Sequence, residues 1–192
     1  MFKSPKIIDN NRKVLSDVIN SLAPNFSSLS IATGYWNIEG MKMVLDSIKD
    51  YKKIRLLIGR EPILKRDNKD NVEKPEVDYP DEDFFSDLNR IGPSKEIAEV
   101  VFKIKELIES KKLEVRIYRR SFLHAKCYIF GDYDSEEATG IIGSSNFTFA
   151  GLEVNAELNT VETDNRIVAF KPTSRKQEVG HLFWFDEMWN DD

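Results

Sequence analysis

The sequence predicts an α/β protein, a three-layer α/β/α sandwich around a mixed, largely parallel sheet, and three observations carry that expectation. Apolar runs with strand character alternate along the chain with amphipathic stretches of helical period. One passage, "LSIATGYW" then "IEGMKMVLDSIKDY" then "KKIRLLIG", reads as strand, helix and strand, the pattern of a crossover unit with parallel strands. The 192 residues, 41% hydrophobic, suffice for one ordinary core, so a single domain spanning 1–192 is expected.

Taken in order, residues 10–23 form the first helical pattern, with Val14, Ile19 and Leu22 near helical spacing. The crossover unit follows. From about 61 to 83 the text "EPILKRDNKDNVEKPEVDYPDEDFF" begins a charged, proline-punctuated and aperiodic stretch, which predicts a long loop or mobile insertion. "SKEIAEVVFKIKELIESKK" is then a helix with a Ser-x-x-Ile start and an apolar stripe, running into the strand "LEVRIYR". A strand containing His124 comes next, then strands at "EATGIIGSS" and "VNAELNTV". "EVGHLFWFDEMWND" closes the chain as an aromatic-rich amphipathic helix.

Composition narrows the setting. The lone Cys127 excludes an intramolecular disulfide, and no basic, apolar, small-residue leader opens the chain, so a cytoplasmic location is expected. No apolar run approaches the ~20 residues of a membrane-spanning helix. A net charge of −5 argues against a bare, sequence-tolerant nucleic-acid binder, so any polyanion must be held by local charge.

The candidate chemistry lies between Phe122 and Asn159, in "FLHAKCYIFGDYDSEEATGIIGSSNFTFAGLEVNAELN", which holds one of the chain's two histidines. On a strand, His124, Lys126, Tyr128 and Phe130 share one face, and Leu123, Ala125, Cys127 and Ile129 share the other. Ser144 and Asn146, then Asn155 and Glu157, repeat the two-residue spacing at the ends of later strands. Each pair has a bland reading on its own: a structural histidine, a common Gly-Ser-Ser-Asn loop, an Asn-x-Glu turn. Order and spacing together say more. Cys127 reads as core, and His181, within the aromatic helix, as structural.

The succession His124-x-Lys126, Gly143-Ser144-x-Asn146, eight residues, Asn155-x-Glu157 closely resembles the signature of the phospholipase D superfamily. It looks most like the nuclease-type branch, which includes small bacterial phosphodiesterases, certain restriction endonucleases and helicase-associated domains. The motif spans about a fifth of the chain, and the surrounding elements, from "IATGYW" to "FWFDEMW", fit such a domain over most of its length. One position departs from the pattern: the aspartate expected five residues after the lysine is replaced by Gly131, with Asp132 following, and the motif aspartate stays unassigned.

These residue types suit phosphodiester chemistry. The substrate's negative charge repels nucleophiles, and enzymes counter it with metals or with fixed cations and hydrogen-bond donors. A cluster with one carboxylate and no set of His or Cys ligands points to the second solution, so no metal and no cofactor are expected. Lys126 and the Asn146 amide would cradle the non-bridging oxygens. At an effective dielectric near 20, a lysine about 4 Å from a unit charge is worth roughly 4 kcal/mol before desolvation. The resemblance implies that His124 is the nucleophile, forming a phosphohistidine that water resolves, that Glu157 orients the imidazole, and that Ser144 and Asn155 support the site. A second histidine must serve as acid. Since the chain holds one His-x-Lys motif, the expected source is His124 of an identical subunit, giving a homodimer with a shared site.

Substrate reading rests on fewer residues. "VRIYRRSFLHAKCYIF" carries Arg116, Arg119, Arg120 and Lys126 without an acidic residue, making the approach to His124 basic. Arg119 and Arg120 are possible substrate contacts. Tyr35 and Trp36, at a strand end, are placed to stack on a base or simply to pack. A metal-independent nuclease acting on DNA, targeted by a helicase or restriction partner, is the favoured reading. Two alternatives stand beside it: a lipid phosphodiesterase, which no basic amphipathic docking helix supports, and a non-catalytic DNA-binding or dimerisation module, which would not require the histidine.

Overall fold

The computed structural model describes residues 5–59, 94–135 and 137–191, so the loop expected at 61–83 lies outside the described residues. Helix formation follows the apolar spacing. Leu15–Leu22 (α1) buries Leu15, Val18, Ile19 and Leu22; Ile38–Ile48 (α2) buries Ile38, Met41, Val44, Leu45 and Ile48; Lys95–Glu109 (α3) buries Ile97, Val100, Ile104 and Leu107. Each set is one stripe of a 3.6-residue period. Side chains fix two of the starts: Asn37 accepts from the Gly40 amide at 2.8 Å, and Ser94 accepts from Ile97 at 3.1 Å. The first helix starts later than residue 10. Asn10 is left-handed with φ 55°, and its side chain accepts from the Leu15 amide at 3.0 Å, so it forms the turn into the helix instead of joining it.

Ile7–Ile8 (β1), Ser28–Thr33 (β2), Lys53–Ile58 (β3), Leu113–Ile117 (β4), Cys127–Phe130 (β5), Thr139–Gly143 (β6) and Asn159–Glu162 (β7) form one sheet of order β1-β7-β6-β5-β2-β3-β4. The sheet is mixed, and the expected crossover is there, with α2 joining parallel β2 and β3. Its parallel share is smaller than expected: β2–β3 and β3–β4 are parallel, and the other four pairings are antiparallel. After β4 the chain no longer returns through a long covering helix. The tight tip between Phe130 and Thr139 leaves β5 and β6 no other option than an antiparallel hairpin.

Layers lie on both faces, as alternation along the strands requires. Leu29, Ile31, Ile54, Leu56, Tyr128 and Phe130 pack with α1, α2 and α3, while Ala32, Leu57, Cys127 and Ile129 pack with Asn165–Val168 (α4) and His181–Trp189 (α5). Arginines seat the aromatic helix. The Arg55 guanidinium lies 4.7 Å from the Phe185 ring centroid and donates to Asp186 at 2.6 Å; Arg116 lies 4.6 Å from the Trp189 ring and donates to the Trp189 carbonyl at 2.8 Å. Because β5 runs antiparallel to β2 and β6, and β6 to β7, the start of β5, the end of β6 and the start of β7 meet the C-terminal ends of β2 and β3 along one edge of the sheet.

Candidate active site

That edge collects the polar pairs, though not on the strands themselves. β5 begins at Cys127, so His124 and Lys126 lie in the extended segment leading into it, and Asn155 and Glu157 lie before β7, which begins at Asn159. The segment holding His124 crosses the end of β3 at close quarters. A Cβ on Gly59 would stand 2.0 Å from the Leu123 carbonyl oxygen, so only glycine allows that approach.

Asn146 is fixed from two sides. Trp36 bridges to Phe147, the Asn37 side chain accepts from the Phe149 amide at 3.1 Å, and a Cβ on Gly40 would meet Thr148 backbone at 2.8 Å, so the loop after β6 rests on the start of α2. From β2, the fully buried Thr33 hydroxyl accepts from the Phe147 amide at 2.9 Å and donates to the Tyr35 carbonyl at 2.7 Å. The Tyr35 amide in turn donates to Asn146 Oδ1 at 3.2 Å. With its oxygen held, the Asn146 amide presents its NH2 group as a donor.

The eight residues between Asn146 and Asn155 close into a π-turn, Ala150–Val154, which brings Asn155 back to the edge. Asn10 Nδ2 clamps it, donating to the Gly151 carbonyl at 2.8 Å and the Asn155 carbonyl at 3.2 Å. Glu157 accepts from the Ser144 hydroxyl through one carboxylate oxygen and from Asn155 Nδ2 at 3.3 Å through the other, while Ser144 Oγ accepts from the Leu158 amide at 3.0 Å. Ser144, Asn155 and Glu157 thus form one unit. Its carboxylate is engaged by these two partners, and the orienting contact to the imidazole implied by the resemblance is not made within one chain among the described residues.

Lys126 is the anomaly of the site. Only 5% exposed, it donates to the His124 carbonyl at 2.8 Å and forms no ion pair among the described residues. Burial pushes its pKa below the ordinary lysine value, and the charge of Glu157 pulls partly the other way. Gly34 opens the space before it: a Cβ there would lie 3.2 Å from Asn146 Oδ1 and 3.7 Å from Lys126 Nζ. The buried Lys126 ammonium and the fixed Asn146 amide therefore both lie against Gly34, where no side chain intervenes, and the exposed His124 stands two residues before the lysine.

The other sequence candidates divide. Tyr35 belongs to the edge, and its ring meets Phe122 at 6.5 Å between centroids, which in turn meets His124 at 5.3 Å. Arg119 is exposed. Arg120 pairs with Asp191 at 2.5 Å and Arg116 is held by Trp189, so much of the basic run is engaged by the C-terminal segment. Asp132 sits in the hairpin tip at the far end of β5, with Gly131 at φ 91° beside it. His181 lies half-buried against Gly140 on the α5 face, and Cys127 is buried with its pKa pushed up to about 12. Thr33, Gly34 and Phe122 escaped the sequence reading, and the only trace of the first two was the "IATGYW" text at the end of a strand.

A family model described as "Cardiolipin synthase, PLD-like domain" matches residues 23–170. No curated protein matches the sequence. Among solved structures, the chain is similar to Nuc from Salmonella typhimurium, a phospholipase D family member, at 14% identity over 96% of this chain and 92% of that one, with a TM-score of 0.50. NucT from Helicobacter pylori gives 14% identity, coverage of 95% and 93%, and a TM-score of 0.49. A yeast tyrosyl-DNA phosphodiesterase mutant gives 12% identity over 84% of this chain, with a TM-score of 0.44, and this chain spans 29% of its length. Among the described residues no helix is long and apolar enough to cross a membrane.

Proposed function

Given that the chain belongs to the phospholipase D-like domain family, we propose that it is a metal-independent phosphodiesterase cleaving nucleic acid, with DNA the favoured substrate, through a phosphohistidine intermediate. The observation that carries this reading is the buried Lys126, which has no ion-pair partner among the described residues, together with the fixed Asn146 amide and the exposed His124. A buried cation is costly unless an anion completes it, and a phosphodiester brings one.

In this reading neutral His124 attacks phosphorus, and the bond to the leaving oxygen breaks as a second imidazolium protonates that oxygen. Water then attacks the phosphohistidine, gives its proton to the second imidazole, and restores neutral His124. Lys126 and the Asn146 NH2 group hold the non-bridging oxygens as charge builds on them. The second imidazole is His124 of an identical subunit in a homodimer, because His181 lies against Gly140 and away from the edge. Target choice falls to a partner such as a helicase or restriction subunit, since two arginines of the approach are already engaged. The test is turnover of labelled DNA in excess EDTA. Cleavage should persist there and vanish in His124→Ala, whose exposed site predicts unchanged thermal unfolding. Activity that appears only on adding magnesium would overturn the mechanism.

A further inference from the structure

The limb at 155–158, which brings Asn155 and Glu157 to the site, has little packing of its own: Val154 before it and Leu158 at its end are 65% and 61% exposed. Much of its hold comes from the start of the chain, and it comes at both ends. Before the limb, Asn10 Nδ2 donates to the carbonyls of Gly151 and Asn155, and the Ser16 hydroxyl donates to the Glu153 carboxylate. After it, β1 lies along β7 with Ile8 opposite Asn159 and Ile7 opposite Thr160, and the Val161 amide donates to the Lys6 carbonyl at 3.0 Å. Asn10 is suited to this place, because asparagine tolerates the left-handed backbone that the turn requires at φ 55°. Ser16, only 2% exposed, must satisfy its hydroxyl inside the protein and spends it on the π-turn. Residues 6–16 all precede residue 23, where the family match begins.

We propose, resting on the phosphodiesterase reading above, that residues 6–16 form a clamp that sets the place of Glu157 in the site, with Asn10 as its positioning residue. The clamp acts on Lys126 through that carboxylate. Burial drives the ammonium toward losing its proton, and the charge of Glu157 opposes the loss. The other groups placed against the lysine carry no charge: the His124 carbonyl, the Asn146 amide across Gly34, and Tyr128, whose phenol burial keeps protonated. Only a protonated lysine can grip a phosphate, so a limb that swings away leaves burial to decide and the grip is lost at lower pH. Packing alone does not call for the clamp. Leu15, Val18, Ile19 and Leu22 already seat α1 on the core, whereas the side chains of Asn10 and Ser16 reach the turn that leads to Asn155.

The experiment compares wild type with Asn10→Gly, which keeps the left-handed turn and the net charge but removes both donations, with Ser16→Ala, and with Val18→Ala, which weakens the packing of α1 and leaves the clamp intact. Turnover of labelled DNA is followed from neutral to alkaline pH, and exchange of the Leu158 amide, held by Ser144 Oγ at 3.0 Å, is followed by NMR. Asn10→Gly should lower kcat/KM at neutral pH by about tenfold and move its alkaline limb to lower pH. Ser16→Ala should do the same to a smaller extent, and it carries the comparison if Asn10→Gly does not fold. Val18→Ala should leave the limb where wild type has it. The Leu158 amide should exchange faster in Asn10→Gly than in Val18→Ala. An alkaline limb that stays in place when the clamp is cut, or one that shifts equally in Val18→Ala, overturns the clamp. If wild type cuts no DNA, the phosphodiesterase reading fails and the clamp is judged on exchange: faster loss at Leu158 in Asn10→Gly alone supports it, and equal exchange in the two variants overturns it.

Discussion

Replacing Lys126 with methionine separates a cation used for chemistry from one used for folding. The side chain is 5% exposed and its ammonium touches the His124 carbonyl at 2.8 Å. Methionine has nearly the same length and fills the same channel. At about 4 Å from a phosphoryl oxygen and an effective dielectric near 20, the lost attraction is about 4 kcal/mol, or close to three decades in rate. The carbonyl already partly solvates the ammonium, so a fall in kcat/KM of about 10²–10³-fold is expected. Stability should move little: removing a buried charge offsets the loss of one hydrogen bond worth about 1 kcal/mol. The pH dependence supplies an internal control. The folded-state pKa lies below the ordinary 10.5, so between the two values the unfolded chain holds more protons and stability rises with pH. Urea midpoints of wild type should climb through that alkaline window, and those of the methionine variant should not. Turnover within threefold of wild type, or failure to fold at 25 °C, would refute the assignment of Lys126 to the phosphate.

Gly34→Ala should lower kcat/KM by about tenfold with a smaller change in thermal midpoint, because the new methyl presses on Asn146 Oδ1 at 3.2 Å before it meets the core; equal losses in both would make the glycine merely structural. His181 is held below its ordinary pKa by burial, against the pull of Glu162, and its Nδ1 has no hydrogen-bond partner among the described residues. The unfolded chain therefore takes up more protons as pH falls below about 6.5, and stability drops. His181→Gln should flatten that acid limb in urea melts at pH 7 and pH 5 while leaving turnover near normal, and parallel curves would contradict it. On dilution, specific activity should fall together with the dimer fraction measured by light scattering, and phosphate should shift both toward lower protein concentration; a monomer with full specific activity excludes the shared site.

The candidate residues were easier to pick out in the sequence than their placement in the fold. His124-x-Lys126 was legible because charged side chains interrupt an apolar strand pattern, and Asn146 and Glu157 because their spacing repeats the device. That these pairs would sit just off the strands was not legible, since alternation continues unbroken from Leu123 to Ile129 while the strand register with β2 and β6 begins at Cys127. Helix stripes survived translation into structure because burial reads out side chain by side chain. Strand direction did not, because parallel and antiparallel pairs bury the same residues, and only the length of each connection distinguishes them. Thr33 and Gly34 were invisible for another reason: one acts through a single hydroxyl shared by two backbone groups, the other through the absence of a side chain, and neither has a periodicity to betray it.

The missing aspartate of the motif follows from the same division. At position 131 the backbone turns with φ 91°, and a Cβ would stand 2.9 Å from Ser135 Oγ, so an aspartate there would be strained and crowded. The next residue does the turn's work instead: the Asp132 amide donates to Ser135 Oγ at 2.8 Å, and that hydroxyl donates to Asp132 Oδ1 at 3.0 Å. This tip caps the end of β5 remote from His124, with the whole strand between them. A motif written as one line of sequence is therefore two physical devices at opposite ends of a four-residue strand. In the proposed reaction the end that would meet phosphate is constrained by charge and keeps its histidine and lysine in register. The other end is constrained only by the need to turn, and it can move its carboxylate by one residue without disturbing the pocket.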